Sequence, residues 1–298
     1  MILSADDFGI SPAVDEAILQ LIEKKRISST GCMVANTNPE LRQNLISLKN
    51  SSSEIDVGLH LVLTDTAPLG KHRFQDGLVA KNGKLPNLKT LATKAYLGIL
   101  ELVAIETEIL AQIENFKSVF GRTPDFIDGH QHVQQLPIVR HAIVSSLKKF
   151  NKIGYVRIAN LPNSWIWNSS QLFSPRFALE NLALAIPGRQ SAILFSENKI
   201  KHNRYLLGYY RHTPDMQFRT VFEKYLSLGP AKNDIFFCHP GNADEHLKKV
   251  DRLVDSRKDN LEFLMSPEFQ DTCEKFQVSI NRFRFENGSC LLESELRL

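Results

Sequence analysis

The chain has 298 residues, with 36 Lys and Arg against 33 Asp and Glu and a formal net charge of +3. That length suits one large α/β domain, and the charge balance excludes a general attraction to nucleic acid or to an anionic membrane. Four widely spaced cysteines (Cys32, Cys238, Cys273 and Cys290) lack any C-x-x-C spacing, and no basic, apolar leader opens the chain. These features point to reduced thiols and a cytoplasmic location.

Met1–Ser4 reads as a strand, and Ser11-Pro12 opens a helix, with Ser11 as N-cap and Pro12 at the first helical position. Thr30–Asn36 (strand), Pro39–Lys49 (helix) and Ile55–Thr64 (strand) follow. A polar loop rich in Gly and Pro is expected from Asp65 to about Asn87. A long amphipathic helix then covers roughly Leu100–Phe120, with Leu102, Ile105, Ile109, Ile113 and Phe116 on one face. The apolar stretch near 95–105 is interrupted by Glu101 and is too short to span a bilayer, so no transmembrane segment is expected. Gly121-Arg122-Thr123-Pro124 stops the helix. Asp125–His132 is the next strand, Pro137–Asn151 a helix and Gly154–Ala159 a strand. Leu161–Asn203 is poorly periodic and reads as an irregular excursion, a lid or an interface. Beyond it, Leu206–Tyr210 and Asp234–Cys238 read as strands and Met216–Leu228, Val250–Lys258 and Pro267–Phe276 as helices. A short strand-like piece falls near Arg282–Glu286. With no internal repeat and no linker, the alternation predicts one domain over 1–298, a distorted TIM-like (β/α) barrel of parallel strands.

The adjacent carboxylates of Asp6 and Asp7 end the first strand. Two such groups repel, and burying them calls for a positive partner, commonly a divalent metal. His60, then Asp128, His130 and His132, then Arg157, then His239 each fall at or near the C-terminal end of a predicted strand. Parallel strands bring those ends to one rim. One carboxylate and two imidazoles (Asp7, His60, His130) make a facial metal-ligand set with open positions. Asp6 would then be free to act as general base, Arg157 to hold it by a bidentate contact, and His239 to act as acid or steady an oxyanion. Each residue also has a plainer role: a turn Asp pair, a core histidine, or an ordinary ion pair. His130 and His132 share a strand face by period two, so one is a ligand and the other supports or packs. His72, His141, His202, His212 and His246 default to the surface. Trp165, Trp167, Phe173 and Phe177 read as packing ahead of a sugar platform.

Ser4-Ala5-Asp6-Asp7-Phe8-Gly9, Gly58-Leu59-His60-Leu61, Asp128-Gly129-His130-Gln131-His132 and Cys238-His239-Pro240-Gly241 occur in the order found in YdjC-like carbohydrate deacetylases, which the chain resembles from Ile2 to about Phe269. The family includes chitooligosaccharide deacetylases and hopanoid-biosynthesis-associated relatives. The resemblance implies a metal site at the C-terminal rim with Asp7, His60 and His130 as ligands. It implies Asp6 as base and His239 as acid; Arg157, His132 and Asp128 are expected, from their own positions, to bind or orient substrate. It also implies hydrolysis of an N-acetyl group from an amino sugar or glycoconjugate. The cofactor would be one divalent ion, Mg or Zn first, with Co or Ni as alternatives. Gln131 and Gln134 stand where the family commonly has further histidines, which bears on substrate contacts. The alternatives are a metal-dependent O-acetyl esterase, a phosphoester hydrolase, or a non-catalytic sugar-binding protein on the same barrel. Oligomeric state is open, with a homodimer through the aromatic segment as one expectation.

Overall fold

A computed structural model of the chain describes residues 1–35, 39–51, 53–73, 76–150, 152–163, 165, 175–213 and 216–283. Seven parallel strands form one curled sheet: β1 (Ile2–Phe8), β2 (Ser29–Cys32), β3 (Asp56–Leu61), β4 (Phe126–Gly129), β5 (Tyr155–Val156), β6 (Leu206–Leu207) and β7 (Ile235–Cys238), in the order β5-β4-β3-β2-β1-β7-β6. The two outer strands are stitched by the Asn203 side chain. Its Oδ1 accepts from the Ile158 N–H at 2.8 Å, and its Nδ2 donates to the Ile158 carbonyl at 2.9 Å. An amide side chain thus takes the place of ladder bonds that irregular backbone leaves unmade. The result is a distorted barrel.

Register explains how the barrel sorts its residues. Ile2 pairs with Ile235 and Ser4 with Phe237; Gly31 pairs with Gly58 and His60 with Asp128. Alternation then places Ile2, Ser4 and Asp6 on the same face as Gly31, Gly58, His60, Phe126, Asp128, Phe237 and His239. In the lower layer Ile2, Phe126, Tyr155, Leu206, Ile235 and Phe237 form a separate interior cluster, beside Ser4, Ser29 and Asp56, whose carboxylate is held by Arg282. Asp6, His60, Asp128 and His239 on the same face come later along the strands, at the rim. A much larger core lies between the sheet and the helices.

The helices follow from local signals. Helix α1 (Pro12–Glu23) is capped by the Ser11 side chain, which accepts from the Val14 N–H, and it buries Val14, Ala17, Ile18, Leu21 and Ile22. Helix α4 (Leu102–Phe120) buries Ile105, Ile109, Ile113 and Phe116 and ends at Gly121, whose φ of 71° is the left-handed cap that glycine adopts without steric cost. The others are α2 (Pro39–Ser51), α3 (Leu88–Tyr96), α5 (Pro137–Leu147), α6 (Pro175–Glu197), α7 (Phe218–Leu226), α8 (Leu247–Val250), α9 (Val254–Met265) and α10 (Pro267–Lys275). Among the described residues no helix is long and apolar enough to cross a membrane.

Several sequence expectations change. Strand β2 stops at Cys32, and α3 was not foreseen. Much of the expected irregular excursion 161–203 is the 23-residue helix α6. Apolar side chains on both its buried and exposed faces, among them Phe177 and Phe195 inside and Leu179 and Ile186 outside, erase the periodicity by which an amphipathic helix is recognised. Trp165 is buried, stacked on Tyr225 at 3.8 Å between ring centroids, and Phe177 stacks on Tyr209. Trp167 and Phe173 lie outside the described residues, as does most of the strand expected near Arg282–Glu286. Strand β4 ends at Gly129, and His130–Gln135 form a 3-10 turn in which Gln131 and His132 are left-handed, with φ of 55° and 57°. His130 and His132 therefore do not share a strand face.

Gly58 shows how tightly the interior layer is fitted: a Cβ there would overlap the buried Phe126 ring. Gly58→Ala is expected to destabilise the protein by about 1–3 kcal/mol through overpacking, read as a lowered midpoint in urea denaturation.

Candidate active site

Two consecutive strand residues point to opposite faces, so a regular β1 would send Asp6 and Asp7 apart. The chain avoids this by a register irregularity between Ala5 and Phe8, with Asp7 at φ 70°. This left-handed conformation is uncommon for a non-glycine residue, and Asp is among the side chains that tolerate it. The turn is held from behind. The Gly9 N–H donates to the buried Asp15 carboxylate of α1 at 2.6 Å, and the Ile10 N–H donates to the Asp7 carbonyl at 3.0 Å. Both carboxylates thereby face one cleft.

Around them the rim residues converge. Asp7 Oδ1 lies 2.9 Å from His130 Nδ1 and 3.2 Å from His60 Nε2. One donor atom from each of Asp7, His60 and His130 lies within 4.8 Å of the others, a spacing that fits a single metal ion. His60 Nδ1 is 2.7 Å from Asp128 Oδ1, so the carboxylate fixes that nitrogen and turns Nε2 toward Asp7. Gly31, one strand over, leaves the room for this: a Cβ there would lie 2.9 Å from His60 Nδ1 and 3.0 Å from both Asp128 oxygens. Arg157 donates to both oxygens of Asp6, each at 2.6 Å, and approaches Asp128 Oδ2 at 3.0 Å. His239 Nε2 stands 3.9 Å from Asp7 Oδ2, and its backbone N–H donates to Asn260 Oδ1.

The fields are strong because the groups are dry. Burial alone would raise Asp7, but Arg257, His130 and His60 hold its carboxyl well below the usual carboxylate value. Burial opposes the His60 cation, yet Asp128, Asp7 and Asp6 carry it up to about 10. His132 and His239 go the other way. Burial and the nearby Arg157 push His132 well down, and burial takes His239 to about 4 despite the pull of Asp7. At neutral pH both are uncharged imidazoles.

The site opens into a cleft of about 950 Å³ lined by Asp6, Asp7, His60, His130, His132 and His239, with Lys89, Lys248, Lys249 and Arg252 among its other lining residues. A smaller cleft of about 350 Å³ lies at the N-terminal end of β5 and contains none of these side chains. Arg157 and Asp128 are fully buried behind the residues that line the main cleft. Gln131 reaches the cleft, whereas Gln134 is buried and donates to the Arg157 carbonyl at 3.1 Å. Sequence reasoning missed Arg257, a fully buried guanidinium between Asp7 and Asp251. It missed His212 as well, which lines the cleft 6.0 Å from the His239 ring. Two more histidines assigned to the surface are paired inside, His72 with the buried Glu108 at 2.9 Å and His202 with Ser196 at 3.0 Å. A lone Arg on a helix and a lone His in a loop carry no local signal of burial.

Comparison with known proteins gives the family and the fold. Residues 1–275 match the family model described as YdjC-like protein. A chitooligosaccharide deacetylase of Serratia marcescens is 35% identical over 137 residues, covering 46% of this chain and 51% of that protein. A carbohydrate deacetylase of Mus musculus is 29% identical over 163 residues, covering 54% of this chain and 50% of that protein. The chain thus spans about half the length of the curated relatives it matches. An Enterococcus faecalis V583 crystal structure, described as a candidate cellobiose-phosphate cleavage protein, superposes with a TM-score of 0.69 at 21% identity. That match covers 94% of this chain and 96% of that one.

The two shifts at the centre of the cluster set a pH window for stability. Asp7 is depressed from an ordinary 3.8, so its contribution is present above that value and is lost as pH falls toward its native pKa. His60 is raised from 6.5, so its contribution is full below 6.5 and is lost as pH rises through about 10. Metal-stripped protein should therefore be most stable between those limits and weaken steadily on the alkaline side. In urea melts across pH, His60→Gln should flatten the alkaline limb.

Proposed function

The chain belongs to the YdjC-like family, and from that premise we propose that it is a metal-dependent hydrolase that removes an N-acetyl group from an amino sugar or glycoconjugate. The observation that carries this reading is the convergence of Asp7 Oδ1, His60 Nε2 and His130 Nδ1 beside a second, separately held carboxylate in one cleft. The donor set fits the group: one carboxylate and two imidazoles suit Zn, Co or Ni, and Mg would add waters. A divalent ion held there would polarise the acetyl carbonyl and lower the pKa of a water.

The remaining roles are carried by side chains. Asp6 has each oxygen engaged once by Arg157, which leaves lone pairs on the cleft side to take a proton from water. Arg157 keeps that carboxylate in one orientation. Asp128 holds His60 in the tautomer that offers Nε2. His239, on the cleft wall within 4 Å of Asp7, would relay to the departing amine the proton that Asp6 takes from the water, and so end the cycle uncharged as it began. His132, uncharged and packed edge-on against Phe237 at 5.3 Å, shapes the wall that meets the sugar. An O-acetyl substrate would make the same demands on these groups, so the bond cleaved is decided by assay.

Acetate release from a panel of N-acetylated and O-acetylated sugars, using metal-stripped protein with Zn, Mg, Co or Ni added back, tests the reading. Restored release from an N-acetyl sugar supports it. Metal bound at one equivalent with release only from O-acetyl sugars would replace it with the esterase. Asp6→Asn should keep metal and lose turnover by roughly 10²–10⁴-fold, whereas His60→Ala should lose both. Equal metal loss in the two variants would overturn these assignments. Because His60 in the metal-free protein is held protonated up to about 10, metal binding must expel that proton. Apparent affinity should therefore weaken about tenfold for each pH unit of acidification below neutrality, as measured by calorimetry.

A further inference from the structure

Arg257 lies on α9, is fully buried, and does not line the cleft, so it touches no substrate. Its Nη2 donates to Oδ2 of Asp7 and also contacts Asp251 Oδ2, while its Nε donates to Asp251 Oδ2 at 2.7 Å. The guanidinium is thus clamped from behind by Asp251 and presses on one oxygen of Asp7 only. The other oxygen, Oδ1, is the one that faces His60 and His130. The neighbouring module differs in denticity. Arg157 engages both oxygens of Asp6, while Arg257 engages a single oxygen of Asp7.

We propose that Arg257 is a positioning residue that confines Asp7 to one-oxygen metal ligation, keeping a coordination position open for substrate; this rests on the metal-site reading above. The argument is steric and electrostatic. A carboxylate free on both sides can chelate a divalent ion through two oxygens as well as through one. With Oδ2 already hydrogen-bonded to a buried cation, only Oδ1 is available. The same cation repels the incoming ion, so the site gives up some metal affinity and gains Lewis acidity at the open position. The two arginines thereby give two adjacent carboxylates different tasks. Asp6 has both oxygens engaged and Asp7 has one left over.

A structural prop and a blocking cation predict opposite signs. Removing a prop loosens the metal; removing the blocking cation frees Oδ2 and tightens it. Cobalt(II) titration of metal-stripped wild type, Arg257→Gln and Arg257→Lys, followed by visible absorption, separates them, since band intensity reports coordination number and geometry. For Arg257→Gln we expect cobalt affinity higher by roughly tenfold, weaker visible bands from a higher coordination number, and a fall in kcat with little change in KM. Arg257→Lys should recover wild-type band intensity in part. Asp251→Asn, which removes the anion behind the guanidinium and leaves Arg257 on Asp7 Oδ2, should keep the wild-type band shape and weaken cobalt binding; Arg257→Met stands in if the Gln variant fails to fold. Unchanged spectra in the Arg257 variants, or weaker cobalt binding with unchanged band shape in them, would overturn this inference alone. Wild-type protein that binds no cobalt, zinc or magnesium would overturn the metal reading and this inference with it.

Discussion

Everything at the rim depends on making two neighbouring buried carboxylates tolerable. Asp6 and Asp7 are each about 2% exposed, and Asp128 below them is fully buried. Three anions in so dry a volume would not stay ionised without compensation. Arg157, on Asp6 and Asp128, and Arg257, on Asp7, both fully buried, supply it, and His60 adds a third positive charge in the metal-free protein. Such clusters gain little net stability over apolar packing, while removing one member leaves an uncompensated charge and is costly. Cost of that kind is characteristic of chemistry, where stability is given up for a preorganised field.

The barrel supplies the geometry. Its interior face is a single alternating set of positions along the strands, with an apolar cluster in the lower layer and the site's ionisable groups in the upper. His60 and Asp128 are side by side because β3 and β4 pair in that register, and Gly31 is the gap beside them. Only Asp7 is out of phase, and the left-handed bulge at the end of β1 returns it to the group. The strain at that one residue is held by Asp15 and the Gly9 turn, which links the first helix directly to the geometry of the site.

Burial then separates two groups of residues. Asp6, Asp7, His60, His130, His132 and His239 line the cleft. Arg157, Asp128 and Arg257 sit behind them, in contact with Asp6, His60 and Asp7 respectively. Lys89, Lys249 and Arg252 line the same cleft.

The sequence by itself determined the barrel, the strand-end address of Asp6, Asp7, His60, Asp128, Arg157 and His239, and the family. Alternating apolar segments and the chemistry of those residue types are local properties of the chain. It also anticipated the Arg157 to Asp6 contact, since a buried carboxylate needs a partner and few basic residues lay at strand ends. It misplaced His130 and His132 on one strand face because a 3-10 turn with left-handed residues leaves no trace in period two. It read helix α6 as irregular because that helix is apolar on both sides. Tertiary structure alone decided that Arg257, His212, His72 and His202 are inside and what each meets there. Burial of a single polar side chain is set by what packs over it from distant segments, and no neighbour in sequence records that.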